Sequence, residues 1–159
     1  MLHVQKQDFM GCAIAAAAMI AGRTYREVAE HPWGGDPAIV RYSARLQRLL
    51  EVLTRTPWRL VLPAPQVTVA ELDTPAWPVP VFVEDDRNGQ WIVADRGTIH
   101  DPQYRTAVAL AFYPRQSWRV SQILEPADRP HFDVRPREAD RTVLLRQVLA
   151  TLRRNPTTL

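Results

Sequence analysis

The stretch Gly89-Gln90-Trp91-Ile92-Val93-Ala94-Asp95-Arg96-Gly97-Thr98-Ile99-His100-Asp101-Pro102, GQWIVADRGTIHDP, decides the fold. Two segments rich in β-branched and aromatic residues, QWIVA and TIHD, flank a tight turn at Asp95-Arg96-Gly97, and that pattern predicts an antiparallel hairpin. Immediately upstream, VPVFVED from Val79 to Asp85 alternates at period two and runs into a second turn at Asp86-Arg87-Asn88-Gly89. Trp58 to Leu62 reads as a short earlier strand and WRVSQIL from Trp118 to Leu124 as a later one. AVALAF, from Ala107 to Phe112, fits a short helix or a strand.

The N-terminal half has helical rather than strand periodicity. Residues Leu2 to Gln5 are expected to form a short lead-in strand, and DFMG then delivers the chain into CAIAAAAMIAG. Alanine loses no side-chain entropy in a helix, so this run starts a helix at Cys12, and Gly22 is placed to stop it. Small side chains on every side predict a central helix that its neighbours approach closely. Thr24, followed three residues later by Glu27, forms a capping-box pattern for a second helix, TYREVAEH, which Pro32 and Gly34-Gly35 end. Asp36 with Pro37 opens a third, broken near Tyr42-Ser43, that places Val40, Leu46, Leu49, Leu50 and Leu53 near one face. Val69 to Leu72 adds about one helical turn. Helices first and a hairpin-rich antiparallel sheet afterwards predict an α+β fold.

The 159 residues, 46% of them hydrophobic, suffice for one core. The expected organisation is a domain over 1–124, a polar, proline-bearing loop over 125–136, and a C-terminal amphipathic helix over 137–159. In that helix Leu144, Leu145, Val148, Leu149 and Leu152 line up among arginines, a stripe fit to pack on the domain or to join two copies in a homo-oligomer. The longest apolar segment, Cys12 to Ala21, is helix-sized and shorter than a membrane span, and the N-terminus lacks a leader pattern, so a cytoplasmic protein without membrane contact is expected. Residues 115–159 carry nine arginines against five acids while the rest is near neutral; this reads as a solvated basic surface, and nucleic-acid binding is not expected.

One cysteine, Cys12, excludes an internal disulfide and a cysteine metal cluster. His3, His31, His100 and His131 form no helical ligand spacing, so neither metal nor cofactor is expected. A cysteine in the first turn of a helix sits at the positive end of the helix dipole, which favours the thiolate and makes a nucleophile. An upstream glutamine, Gln5 or Gln7, can offer its amide to an oxyanion together with the cysteine's own backbone N–H. The alternative is a buried cysteine that serves only as a small hydrophobe.

The order QKQDFMGCAIAAAAMIAG, a helical linking region, then GQWIVADRGTIHDP resembles the papain-like cysteine peptidase superfamily. Within it the chain is similar to the bacteriocin-leader-processing peptidases and their small bacterial and phage relatives. In those proteins a glutamine precedes a cysteine that opens a helix, a histidine opens one strand of a hairpin, and the following strand ends in Asp-Pro. The resemblance covers Val4 to about Pro102. It implies a papain-like fold, with N-terminal helices packed on an antiparallel sheet. It also implies Cys12 as nucleophile, Gln7 or Gln5 as oxyanion donor and Asp101 as the orienting acid. Ala13 stands where the family commonly has glycine, and Gln90 where it has histidine.

An amide has no nitrogen that titrates near neutrality, so Gln90 neither accepts the thiol proton nor protonates a leaving amine. His100 is the one nearby candidate base. Strand alternation turns it away from whatever Asp101 faces, unless a bulge or a one-residue slip at Asp101-Pro102 brings it inward. The resemblance therefore carries two functional expectations: a cysteine hydrolase acting on a peptide or amide bond, or a catalytically inactive papain-like domain that binds a peptide or protein, with Gln90 lining the old cleft.

Overall fold

The computed structural model describes residues 1–64 and 66–129. The C-terminal helix expected from Arg137 onward lies outside them. Within them the chain is α+β: four helices come first and a six-stranded antiparallel sheet follows. The helices are α1 (Cys12–Ala21), α2 (Tyr25–Ala29), α3 (Pro37–Val40) and α4 (Ser43–Thr54). The strands are β1 (Trp58–Val61), β2 (Val79–Glu84), β3 (Gly89–Asp95), β4 (Thr98–His100), β5 (Val108–Ala109) and β6 (Arg119–Pro126), in the spatial order β1-β6-β2-β3-β4-β5.

Helix α1 is the hub. Ala13 to Met19 are all buried, and the helix packs against α2, α3, α4, β2 and β3 at once. Alanine on every face lets five elements approach a single helix. Gly22 ends it in the left-handed region (φ 64°), its N–H donating back to Met19 O at 3.4 Å. The capping box of α2 is formed: the Thr24 N–H donates to Glu27 Oε2 at 2.8 Å and the Glu27 N–H to Thr24 Oγ1 at 3.3 Å. Asp36 caps α3 through the Ala38 N–H at 2.8 Å, and the break at Tyr42-Ser43 separates α3 from α4.

The sheet divides two cores. On the face that α1 covers lie Trp91, Val93 and Leu124; on the other lie Val79, Val81, Val83, Ile92, Ala94, Ile99 and Ile123, closed over by Val67, Val69, Leu72 and Tyr113. The Asp85 carboxylate organises the β2–β3 turn by accepting from the N–H groups of Arg87 at 2.8 Å and Asn88 at 2.7 Å. The β3–β4 turn is only Arg96 (φ 45°) and Gly97 (φ 76°). Two consecutive positive φ values match the right-handed twist of the flanking strands, and they fix the register Asp95↔Thr98, Ala94↔Ile99, Val93↔His100. Val108–Ala109 pairs as a strand and Leu110–Phe112 continues as a 3-10 turn, so the AVALAF segment takes both of its expected forms in succession.

Two boundaries differ from expectation. Residues 2–5 form no strand; β4 is paired by β5 on its outer side, and the N-terminal segment is tied instead by single bonds, Lys6 N–H to Pro102 O at 3.0 Å and His3 Nε2 with Tyr104 O at 2.9 Å. The loop expected from residue 125 begins later, because β6 runs on to Pro126 to pair with β1, and Glu125 is fully buried with Arg59 Nε donating to it at 2.6 Å. A charged residue reads as loop in sequence, yet a partner 66 positions away makes it a strand residue.

Overpacking at the hub is expected to be costly. Ala16→Leu should destabilise the domain by about 2 kcal/mol, seen as a lower urea midpoint, whereas Arg26→Leu on the exposed face of α2 should stay within roughly 0.5 kcal/mol.

Candidate functional site

The loop before α1 is pinned by a hydrogen bond from the Tyr25 hydroxyl to the Asp8 carboxylate, and that hydroxyl sits where a side chain on Gly11 would go. Gly11 is therefore the N-cap residue, and no side chain caps the helix. Cys12 is its first residue, as the sequence predicts, and is half-buried. Burial pushes the thiol pKa above its ordinary value; hydrogen bonds from the Trp91 backbone and the Lys6 charge pull it down by less. The helix dipole argued for a lowered pKa, and desolvation outweighs it.

Helix α1 packs against β3, the strand that carries Gln90 and Trp91. Cys12 and Gln90 line one cavity of about 920 Å³, together with Lys6, Arg41, Tyr42 and Arg115. Its size suits a ligand of several linked groups. Trp91 serves this site twice, since its indole N–H also donates to the Arg41 carbonyl at 2.8 Å and so holds the α3–α4 junction over the cavity.

Gln90 Nε2 donates to Asp101 Oδ2 at 2.6 Å. The same oxygen accepts from the Tyr113 hydroxyl at 2.8 Å and from an Arg115 guanidinium nitrogen at 3.0 Å, while Oδ1 accepts from the Gln103 N–H at 2.9 Å. Asp101 is 1% exposed, so this is a buried carboxylate with four donors, one of them the Arg115 cation. Burial and the neighbouring Asp101 charge raise the Tyr113 pKa far above its ordinary value, which keeps the hydroxyl a donor. A carboxylate only accepts, so it fixes the amide orientation of Gln90: nitrogen toward Asp101, oxygen left over.

The two glutamines upstream of Cys12 are exposed and do not line the cavity; Lys6 between them does. His100 and Asp101 take opposite faces, as alternation requires. The β3–β4 ladder is regular through Val93↔His100, which puts His100 on the α1 side of the sheet, but the ring does not line the cavity. It stacks on His3, with centroids 5.7 Å apart, and the Nδ1 atoms of both rings are buried without a partner among the described residues. Asp101 and Gln90 belong to the opposite face of the sheet from α1, so what Gln90 shares with Cys12 is the lining of the cavity. Tyr113, Arg115 and Lys6 were not singled out in the sequence; their only signal was proximity to Asp101 or Cys12 along the chain.

Among the described residues no group of three or more potential ligands could hold a metal ion, and no helix is long and apolar enough to cross a membrane. No protein-family model matches the chain, and no curated protein matches it in sequence.

Two expectations follow from these charges. Arg115→Met removes the cation from a buried carboxylate and should cost about 3 kcal/mol, measured by denaturant unfolding. His100 is held below its ordinary pKa of 6.5 by burial first and by His3 next, with Asp95 opposing. The unfolded chain therefore takes up this proton first as pH falls. The stability due to neutral His100 is complete above pH 6.5 and is lost as pH drops toward the depressed native value. The fall in unfolding midpoint between neutral pH and mildly acidic pH should accordingly be smaller in His100→Gln than in the natural protein.

Proposed function

We propose that this protein is a catalytically inactive papain-like domain that binds a peptide or a protein segment in the cleft at Cys12, acting in the cytoplasm. The observation that carries the reading is the 2.6 Å bond from Gln90 Nε2 to Asp101. In a cysteine hydrolase the residue between the nucleophile and the orienting acid shuttles a proton; here that position holds an amide that has none to shuttle. The raised thiol pKa points the same way, since a thiol without an imidazole partner in a desolvated site stays neutral. His100, stacked on His3 away from the cavity, offers no substitute base. The support for the papain-like assignment is the order of Cys12, Gln90 and Asp101, the cysteine at the start of a central helix, and the acid bonded to the residue at the base position.

Restoring the base tests it. A histidine at position 90 can donate Nδ1–H to Asp101 and turn Nε2 toward Cys12. Gln90→His is therefore expected to raise the rate of Cys12 alkylation near pH 6 to 7 by at least about tenfold, equivalent to one pKa unit, with Cys12→Ala as the blank. His100→Ala should leave the natural rate unchanged. A natural protein that already reacts at pH 6, cleaves peptides and loses both properties in His100→Ala would establish the hydrolase instead.

A further inference from the structure

The charges around Cys12 define what the cleft receives. Lys6 and Arg41 both line the cavity with the thiol, and neither forms an ion pair among the described residues. Lys6 Nζ donates only to the Phe9 carbonyl at 3.3 Å, and an Arg41 nitrogen only to the Tyr42 hydroxyl at 3.2 Å. Arg115 is paired with Asp101, Glu84 with Arg119 at 2.8 Å, and Asp85 is held by its own turn; Arg87, on that turn, also lines the cavity and forms no ion pair among the described residues. Lys6 and Arg41 thus share the cavity with Cys12, the first residue of a helix whose start no side chain caps.

The second observation is Gln90. It is 92% buried, with 8% of its surface exposed, and with Nε2 committed to Asp101 its Oε1 makes no hydrogen bond among the described residues, though the side chain lines the cavity. An acceptor left open to the cavity is available to an N–H donor of a ligand. The site therefore asks for an anion and an N–H close together in one molecule. Inorganic phosphate has no N–H. A peptide's last residue carries both, on one Cα.

We propose that the cleft reads peptide carboxy termini, the terminal carboxylate sitting between Lys6 and Arg41 at the start of α1 and the N–H of the last residue donating to Gln90 Oε1. This rests on the peptide-binding reading and names its ligand.

The test uses the whole chain and a pool of N-acetylated random hexapeptides made in two forms, as free acids and as carboxamides. Protection of Cys12 from iodoacetamide at mildly alkaline pH reports occupancy of the cleft. The free-acid pool is expected to protect at a concentration at least about tenfold lower than the amide pool, as a charge-assisted contact implies. That advantage should shrink with added salt and disappear in Lys6→Gln/Arg41→Gln. Salt dependence needs no variant, so it stands even if the double substitution perturbs folding. Equal protection by acids and amides would overturn the terminus assignment while leaving peptide binding intact. So would full protection by an amide pool with one fixed internal glutamate, which would identify a side-chain carboxylate instead. No protection by any pool, or cleavage of the peptides seen by mass spectrometry, would overturn the non-catalytic peptide-binding reading together with this one.

Discussion

A carboxylate that is 1% exposed is the constraint around which this cleft is arranged. Desolvating a charge costs several kcal/mol unless donors replace the lost water, and Asp101 recruits four donors from three places: β3 through Gln90, its own following loop through Gln103, and the segment beyond β5 through Tyr113 and Arg115. Each donor is then fixed in turn. Arg115 also reaches Gln103 Oε1 at 2.8 Å and stacks over Trp118 at 4.5 Å, so the loops that close one face of the sheet are stitched to the same carboxylate. The orientation of the Gln90 amide, which decides what the cleft can offer, is a consequence of this network rather than a local choice.

The other half of the site depends on packing. Because six of the ten residues of α1 are alanine, β3 packs close against it, and the Trp91 ring lies edge-on to Phe82 (5.3 Å between centroids) while its indole N–H crosses to Arg41. One residue thereby links the thiol, the α3–α4 junction and the sheet. The same close approach strips water from the thiol. Central placement of the helix and the raised thiol pKa have one cause, and the dipole at the helix start, a partial charge near half a unit, loses to it.

Local chemistry was legible in the sequence wherever it was self-contained. The Thr24–Glu27 capping box, the Asp36-Pro37 helix start, the Gly22 stop and the two-residue turn at Arg96-Gly97 each depend on residues within a few positions of one another, and alternation correctly set His100 against Asp101. What failed to show was set by distant partners or by burial. Glu125 is a strand residue only because Arg59 meets it, and Tyr113 and Arg115 come from an irregular segment with no period to betray that they converge on Asp101. The dipole argument for Cys12 failed for a related reason, since sequence shows the helix start but not how much water the neighbours exclude.

In the proposed binding role, the absence of a base and the cleft's attraction for an anion are connected through charge. In an active thiolate–imidazolium site the positive potential at the helix start is consumed by the thiolate itself. A thiol held neutral by burial leaves that potential unused, and the two cations beside it, Lys6 and Arg41, retain their attraction for an outside anion. Gln90 completes the exchange. A histidine there would present a nitrogen that alternates between donor and acceptor as it titrates, whereas the amide, locked by Asp101, presents an acceptor at every pH at which Asp101 keeps its partners. In the proposed binding role, the glutamine that stands where a base would be needed is also the residue that makes the cleft's hydrogen-bonding pattern constant.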